Sequence, residues 1–190
     1  MKKILLFLFV LLAGMTALTA CRAPEATATT VKTTPLSFTL TSPAFVSGGA
    51  IPSVYAYTSC GGSNTSPALN WGEPPAGTKS FALIMDDPDA SHGTFVHWVV
   101  FNIPPGSRGL PAAIPAQVKL ADGTQQGNNG IDEASYAGPC PPAGMHHYSF
   151  KLYALDATLD DAFGSSPEQR QKDIDAHSLA KAELIGTFQK

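Results

Sequence analysis

Residues 80–103 have the sequence SFALIMDDPDASHGTFVHWVVFNI, in which two apolar segments of strand length, Ser80 to Met85 and Phe95 to Ile103, flank a short polar segment. Further apolar segments of similar length recur between Gly- and Pro-containing turn signals along the chain: Leu36 to Thr41, Ser53 to Tyr57, Tyr148 to Leu155 and Ala182 to Phe188. Short strands at such spacing, without helices alternating between them, favour an antiparallel β-sandwich over a parallel βαβ sheet.

One helix start interrupts the strand pattern near the end of the chain. Ser166 is a typical N-cap, Pro167 fits the first helical position, and Gln169 follows the cap by three residues. We expect this helix to run to about Asp175 and to be followed by a last strand from Ala182, where Ile, Thr and Phe surround a helix-weakening Gly. The predicted fold is mainly all-β, with a short C-terminal helix before a last strand.

Composition excludes several classes of protein. The 190 residues include 17 Gly and 16 Pro without a Gly-X-Y period, and 14% are charged, which argues against helical bundles, collagen and disordered chains. The formal net charge is −3, and no basic excess is present to neutralise phosphates along a nucleic acid. We therefore expect no nucleic-acid partner.

The N-terminus has the pattern of an export signal. Lys2 and Lys3 precede an apolar run from Ile4 to Gly14, which is short for a membrane-spanning helix. The following Leu18 to Cys21 (LTAC) resembles a bacterial lipobox, in which the cysteine is lipidated and becomes the first mature residue. An uncleaved anchor, or an ordinary signal with a chance cysteine, remains as the alternative.

These features predict three segments: a lipoprotein signal peptide at 1–20, a flexible Thr-, Ala- and Pro-rich tether at 21–35, and one folded domain at 36–190. The predicted location is the bacterial cell envelope, with the domain held outside the cytoplasm by lipid on Cys21. Export places Cys60 and Cys140 in an oxidising compartment, where we expect them to form a disulfide. Two buried free thiols are the alternative.

Carboxylates and a histidine lie at adjacent strand ends. Asp87 and Asp89 follow the apolar strand that begins at Ser80. They either belong to a solvated turn or have their mutual repulsion relieved by a cation, by hydrogen-bond donors or by water. Strand alternation places His97 on the face of Phe95 and opposite Trp98. His97 is then either a satisfied core histidine or a pocket residue whose tautomer is fixed by Asp87 or Asp89.

A Pro-rich segment, GPCPPAG at 138–144, precedes the sequence MHHYSF. Alternation places His146 and Tyr148 on one face of the following strand and His147 on the other. Prolines stiffen such a segment, so it can form the wall of a site at low entropic cost. Adjacent histidines alone are a weak signal of function.

These segments, together with SPALNW (66–71) and HSLAKAELIGTF (177–188), resemble the phosphatidylethanolamine-binding protein family, in particular its bacterial Raf kinase inhibitor-like branch. The resemblance covers 36–190 and implies a two-sheet antiparallel β-sandwich with a small anion-binding pocket at one end. The implied pocket residues are Asp87, Asp89, His97, Gly138, Pro139, Pro141, His146 and Tyr148. The chain departs from the family at Ser91, where Pro is usual, and at His147, where Arg is frequent.

The leading functional hypothesis is a binding protein for a small anionic ligand, either phosphate-like or a phospholipid head group, with histidine N–H groups and the Tyr148 hydroxyl as donors. It predicts no catalytic residue, no cofactor and no metal. The alternatives are a hydrolase or metal-dependent enzyme that uses Asp87, Asp89, His97 and His146, or an inhibitor that binds another protein. The sequence has neither a GxSxG nucleophile elbow nor an HExxH metal motif.

Overall fold

The computed structural model describes residues 38–160 and 165–190. The predicted signal peptide (1–20), the predicted tether (21–35), the predicted lipidation site Cys21 and the start of the first predicted strand at Leu36 lie outside the described residues. No helix in the described part of the chain is long and apolar enough to span a bilayer.

The strands form two antiparallel sheets, as predicted. In chain order they are β1 (Leu40–Thr41), β2 (Leu69–Trp71), β3 (Ser80–Asp87), β4 (Phe95–Ile103), β5 (Gly109–Leu110), β6 (Gln125–Gly127), β7 (Met145–Leu155) and β8 (Ser178–Gln189). The large sheet has the order β6-β4-β3-β7-β8, and the small sheet has the order β1-β2-β5.

The large sheet is covered on both faces. Phe81, Leu83 and Met85 of β3 pack towards the small sheet, whereas Ala82 and Ile84 pack on the opposite face. That opposite face is covered by helix α1 (Pro167–His177), which contributes the fully buried Ile174. Because β3 is buried on both faces, its sequence is a continuous apolar run and does not alternate with polar residues.

The C-terminal helix is confirmed. The Ser166 hydroxyl accepts a hydrogen bond from the Gln169 N–H, and Pro167 occupies the first helical turn. The helix extends to His177, two residues beyond the expected end, and β8 begins immediately at Ser178. This strand begins earlier than predicted because its whole length pairs with β7, which continues to Leu155.

Two local assignments made from the sequence are wrong. The segment from Ser53 to Tyr57 is not a strand, because Tyr55 N–H and Ala56 N–H donate to the carbonyls of Pro52 and Ser53 and close a 3₁₀ turn over Ser53–Tyr55. In addition, no strand is predicted in the polar, Gly-rich stretch from 122 to 137, yet this stretch contains β6, which pairs with β4 at the sheet edge. Pairing with a neighbour, rather than local composition, makes β6 a strand.

Candidate ligand-binding pocket

A β-bulge determines which way His97 points. Met85 pairs with Trp98 and Asp86 pairs with Val96, so His97 is an extra residue in β4. Trp98 lies in the core between the sheets, and the His97 ring contacts Tyr148 on the same side, with 5.2 Å between ring centroids. The expectation that Trp98 lies opposite His97 is therefore wrong, since a bulge re-aims side chains that simple alternation would separate.

The bulge opens onto a cavity of about 330 Å³ where β3 ends and where β4 and β7 begin. Its polar lining side chains include Asp87, His97, His146 and Tyr148. The rest of the lining is mostly apolar or backbone and is contributed by Tyr57, Ala90, Ser91, Phe95, Ile131, Ala137, Gly138, Cys140, Pro141 and Pro142. Such a cavity, apolar with a few convergent polar groups, is typical of small-molecule sites.

His146 and Asp87 form a buried pair. His146 Nδ1 lies 2.7 Å from Asp87 Oδ2, and both residues are less than one-tenth exposed. The second oxygen, Asp87 Oδ1, accepts the Asp89 backbone N–H at 2.8 Å. The carboxylate accepts a hydrogen bond from His146 Nδ1–H. This bond holds the imidazole in one orientation and leaves Nε2 as its remaining polar atom.

His97 is held by a backbone carbonyl and not by a carboxylate. Its Nδ1 lies 2.7 Å from the Ala137 carbonyl oxygen, so the prediction that Asp87 or Asp89 would fix its tautomer is wrong. Because a carbonyl only accepts, Nδ1 carries the proton. Burial lowers the pKa of His97, although the hydrogen bond to Ala137 and the charges of Asp87 and Asp86 act in the opposite direction.

The Tyr148 hydroxyl is the unsatisfied group of the cavity. Tyr148 is fully buried, and its hydroxyl oxygen makes no hydrogen bond of standard geometry in the described structure, although the Asp87 carboxylate and the Cys140 backbone lie close enough to influence it. Burial first, and the negative charge of Asp87 second, raise the pKa of Tyr148 well above its ordinary value. The group therefore remains an O–H donor. A buried polar group without a partner is rare in native proteins and points to a missing ligand or water.

The cavity wall at 137–141 is fastened to a distant segment of the chain. Gly138 N–H donates to Asn64 Oδ1 at 2.7 Å, and Asn64 Nδ2 donates to the Tyr136 carbonyl at 3.2 Å. A Cβ on Gly138 would lie only 2.3 Å from the Tyr55 carbonyl oxygen, so this close approach requires glycine.

A disulfide adds a covalent link to the same wall. Cys60 and Cys140 are bonded, with their Cα atoms 5.5 Å apart, and the predicted bridge is thus confirmed. The carbonyl of Pro139 accepts the Tyr57 N–H at 3.1 Å beside it. Pro141 lines the cavity, whereas Pro139 does not and acts through its backbone.

The sequence profile of the phosphatidylethanolamine-binding protein family matches residues 41–189, which includes every element of this pocket. The chain belongs to this family. It is 47% identical over 147 residues to the "UPF0098 protein" of Methanothermobacter thermautotrophicus, an alignment that covers 77% of this chain and 95% of the relative.

Two further comparisons extend this result. The chain is 39% identical over 176 residues to the "Putative lipoprotein LppC" of Mycobacterium tuberculosis, covering 87% of this chain and 81% of the relative. It also matches the crystal structure of E. coli YbcL, described as a new member of the mammalian PEBP family, with a TM-score of 0.76 and 35% identity. That match covers 80% of this chain and 98% of YbcL.

In this member of the phosphatidylethanolamine-binding protein family, Asp89 pairs with His147 outside the cavity. Asp89 Oδ2 accepts both the backbone N–H of His147, at 2.8 Å, and its Nδ1–H, at 2.7 Å. These hydrogen bonds lower the pKa of the Asp89 carboxyl. Both side chains are exposed, and neither lines the cavity. Asp89 therefore orients His147, and the expectation that it would orient a pocket histidine is wrong.

The polar groups of this family member form pairs rather than a metal-type cluster. Among residues 38–160 and 165–190, no three His, Cys, Asp or Glu side chains are grouped so that they could hold a metal ion. Asn64, which adopts a positive φ of 52°, was not among the site residues predicted from the sequence. No local signal reveals its role, because its partners lie more than 70 residues away along the chain.

Proposed function

We propose that this chain is a ligand-binding protein of the bacterial cell envelope whose pocket holds the acidic, phosphate-like head group of a small molecule. The observation that carries the proposal is the buried hydroxyl of Tyr148, a residue that lines the cavity and makes no hydrogen bond of standard geometry in the described structure. Two further polar groups converge on the same cavity, since His97 and His146 are each fixed through Nδ1 and keep Nε2 for a ligand. A head group with several oxygen atoms can engage all three side chains at once.

The apolar lining indicates what the head group is attached to. Phe95, Ile131 and Pro142 lie at the cavity together with the side chain of Tyr57, and Ile131 is 45% exposed. An organic substituent of the ligand can cover these side chains, and removing apolar surface from water contributes roughly 25 cal/mol per Å². An ester or a phospholipid head group therefore fits this cavity better than free inorganic phosphate does.

The location follows from the N-terminal pattern. The apolar run that ends in LTAC predicts cleavage before Cys21 and lipid on that cysteine. The relative LppC of Mycobacterium tuberculosis carries the name lipoprotein, which supports the same anchor here. The segment from 21 to 35 then serves as a tether between the lipid and the domain.

Calorimetric titration with phenyl phosphate tests the binding proposal. His146→Ala removes a buried polar side chain that lines the cavity, and a hydrogen bond to a charged ligand is worth roughly 1.5–3 kcal/mol, so affinity should fall about tenfold or more. His147→Ala is the matched control, because this neighbouring histidine is exposed and paired with Asp89 outside the cavity. Its affinity should stay within about twofold of wild type.

Two outcomes contradict the proposal. Equal losses in both variants, with native circular dichroism, would mean that the cavity side of β7 is not the binding face. The hypothesis of an acidic ligand would be refuted if the folded wild-type protein bound none of three probes: phenyl phosphate, phosphoethanolamine and inorganic phosphate.

Intact mass spectrometry of protein extracted from membranes tests the anchor separately. We expect a chain that starts at Cys21 and carries the mass of attached acyl groups. Cys21→Ser should abolish both the added mass and the membrane fraction. A wild-type chain that begins before residue 21 would refute lipidation at this position.

A further inference from the structure

The tautomer of His97 determines what its free nitrogen can do. Nδ1 donates its proton to the Ala137 carbonyl at 2.7 Å, and His97 is only 7% exposed. In the neutral imidazole, one nitrogen carries the proton and the other is an acceptor. Nε2 of neutral His97 is therefore an acceptor at the cavity, and it requires a donor from the ligand.

Nothing in the cavity lining favours a cationic His97. No Lys or Arg is among the described lining residues, and the titratable groups that line the cavity with His97 are Asp87 from β3, His146 and Tyr148 from β7, and Tyr57. Asp87 is already paired with His146, and Asp86 lies on the far side of β3 and pairs with Lys151. Burial opposes a charge on His97, as the lowered pKa of this residue reflects.

The Tyr148 hydroxyl supplies the complementary donor. It makes no hydrogen bond of standard geometry, and its ring contacts that of His97, with 5.2 Å between the two ring centroids. The residues that line the cavity thus include one O–H donor and one nitrogen acceptor on side chains in contact with each other. A ligand that matches both atoms accepts at one oxygen and donates from another.

We propose that the pocket selects the protonated form of its acidic ligand, with a ligand O–H donating to His97 Nε2 while Tyr148 O–H donates to a second ligand oxygen. This inference rests on the proposed function. It narrows the ligand class to weak acids whose last proton is lost close to neutral pH, such as phosphomonoesters, which bind as monoanions. It excludes phosphodiester head groups of phospholipids, because these have no such proton. A fully deprotonated phosphate would instead place two acceptors and a double charge against His97 Nε2 and the Asp87 carboxylate.

A comparison of phenyl phosphate with phenyl sulfate tests whether binding depends on the ligand's proton or only on its shape. The two probes have the same ring and a tetrahedral acid group, but the sulfate ester has no proton to donate. A phosphomonoester loses its second proton with a pKa of roughly 6, so its monoanion fraction falls about tenfold per pH unit above neutrality. Calorimetry at about pH 6, 7 and 8 should show phenyl phosphate affinity falling about tenfold between the last two.

Phenyl sulfate should bind at least about tenfold more weakly than phenyl phosphate at about pH 6, since it leaves His97 Nε2 without a donor. His97→Gln should bring the two affinities closer together, because the amide can donate to the sulfate. Titration of phenyl phosphate at about pH 8, in buffers of different ionisation enthalpy, should show uptake of close to one proton per ligand bound.

Each remaining outcome has a definite meaning. Equal affinity for the two probes at about pH 6, or a parallel rise of both as pH falls, would show that a protein group and not the ligand carries the proton, and would overturn the inference. Failure of both probes to bind folded wild-type protein would instead refute the proposed function itself. The wild-type comparison is decisive even if His97→Gln does not fold.

Discussion

Replacing Tyr148 by phenylalanine removes a single hydroxyl from the cavity floor and leaves the buried ring in place. The oxygen makes no hydrogen bond of standard geometry in the described structure, and the residue is 0% exposed. An unsatisfied buried hydroxyl costs about 1–3 kcal/mol of folding free energy. Tyr148→Phe should therefore leave the ligand-free protein at least as stable as wild type, and up to about 1 kcal/mol more stable if water occupies part of the site.

Tyr136→Phe is the matched control. Tyr136 is also buried, but its hydroxyl donates to the Tyr55 carbonyl at 3.0 Å and it does not line the cavity. Removing this hydroxyl takes away a satisfied bond and leaves a carbonyl behind, so the free energy of unfolding should fall by about 1–2 kcal/mol. The same chemical change thus has opposite expected effects on stability at the two positions.

Urea denaturation of the ligand-free protein measures the two free energies of unfolding, and calorimetry with phenyl phosphate measures binding. Tyr148→Phe should weaken phenyl phosphate binding by about 10- to 100-fold, whereas Tyr136→Phe should change it little. The reasoning fails if Tyr148→Phe destabilises the protein as much as Tyr136→Phe, because the hydroxyl would then have a partner in the free protein. Unchanged affinity in Tyr148→Phe would show that the hydroxyl does not contact the ligand.

Three further outcomes follow from the same structure. Reduction of the Cys60–Cys140 bridge, which closes a separation of 80 residues, should lower the free energy of unfolding by about 4 kcal/mol in the chain-entropy account, as urea curves with and without reductant will show. Gly138→Ala should lower the free energy of unfolding by more than about 2 kcal/mol, because its Cβ would lie 2.3 Å from a backbone atom. Gly106→Ala, which has open space around it, should lower the free energy of unfolding by less than about 0.5 kcal/mol. Burial lowers the pKa of His97 in the folded state, so the unfolded chain binds more protons as the solution becomes acidic. The contribution of His97 to the free energy of unfolding should be complete above about pH 6.5 and decline as pH falls below that value. Thermal melts as a function of pH should show a smaller decline for His97→Gln than for wild type.

Long apolar segments could be assigned from the sequence because each carries its own pattern. β3, β4 and β7 have 8, 9 and 11 residues, and the helix start at Ser166 is set by its cap. The disulfide could be predicted from compartment and from the number of cysteines. His146 and Tyr148 were placed on one face because β7 is regular at that end, and the structure has both at the cavity.

Most short strands could not be assigned in this way, although β1 lies within the predicted strand from Leu36 to Thr41. β5 has two residues, and β2 and β6 have three each, too few for a periodic pattern. They are strands only because neighbouring backbones supply hydrogen bonds, and the identity of those neighbours depends on how the whole chain folds.

The sequence alone determined the run of long strands, the capped helix and the residue types that the pocket uses. Tertiary structure decided how those residues are connected: the extra residue in β4 turns His97 towards Tyr148, and a carbonyl 40 residues away holds its Nδ1. Tertiary structure likewise brings Asp89 to His147, which lies 58 residues away along the chain. Strand alternation assumes that paired strands advance residue for residue, and a bulge breaks that assumption through pairing that no local stretch of sequence contains.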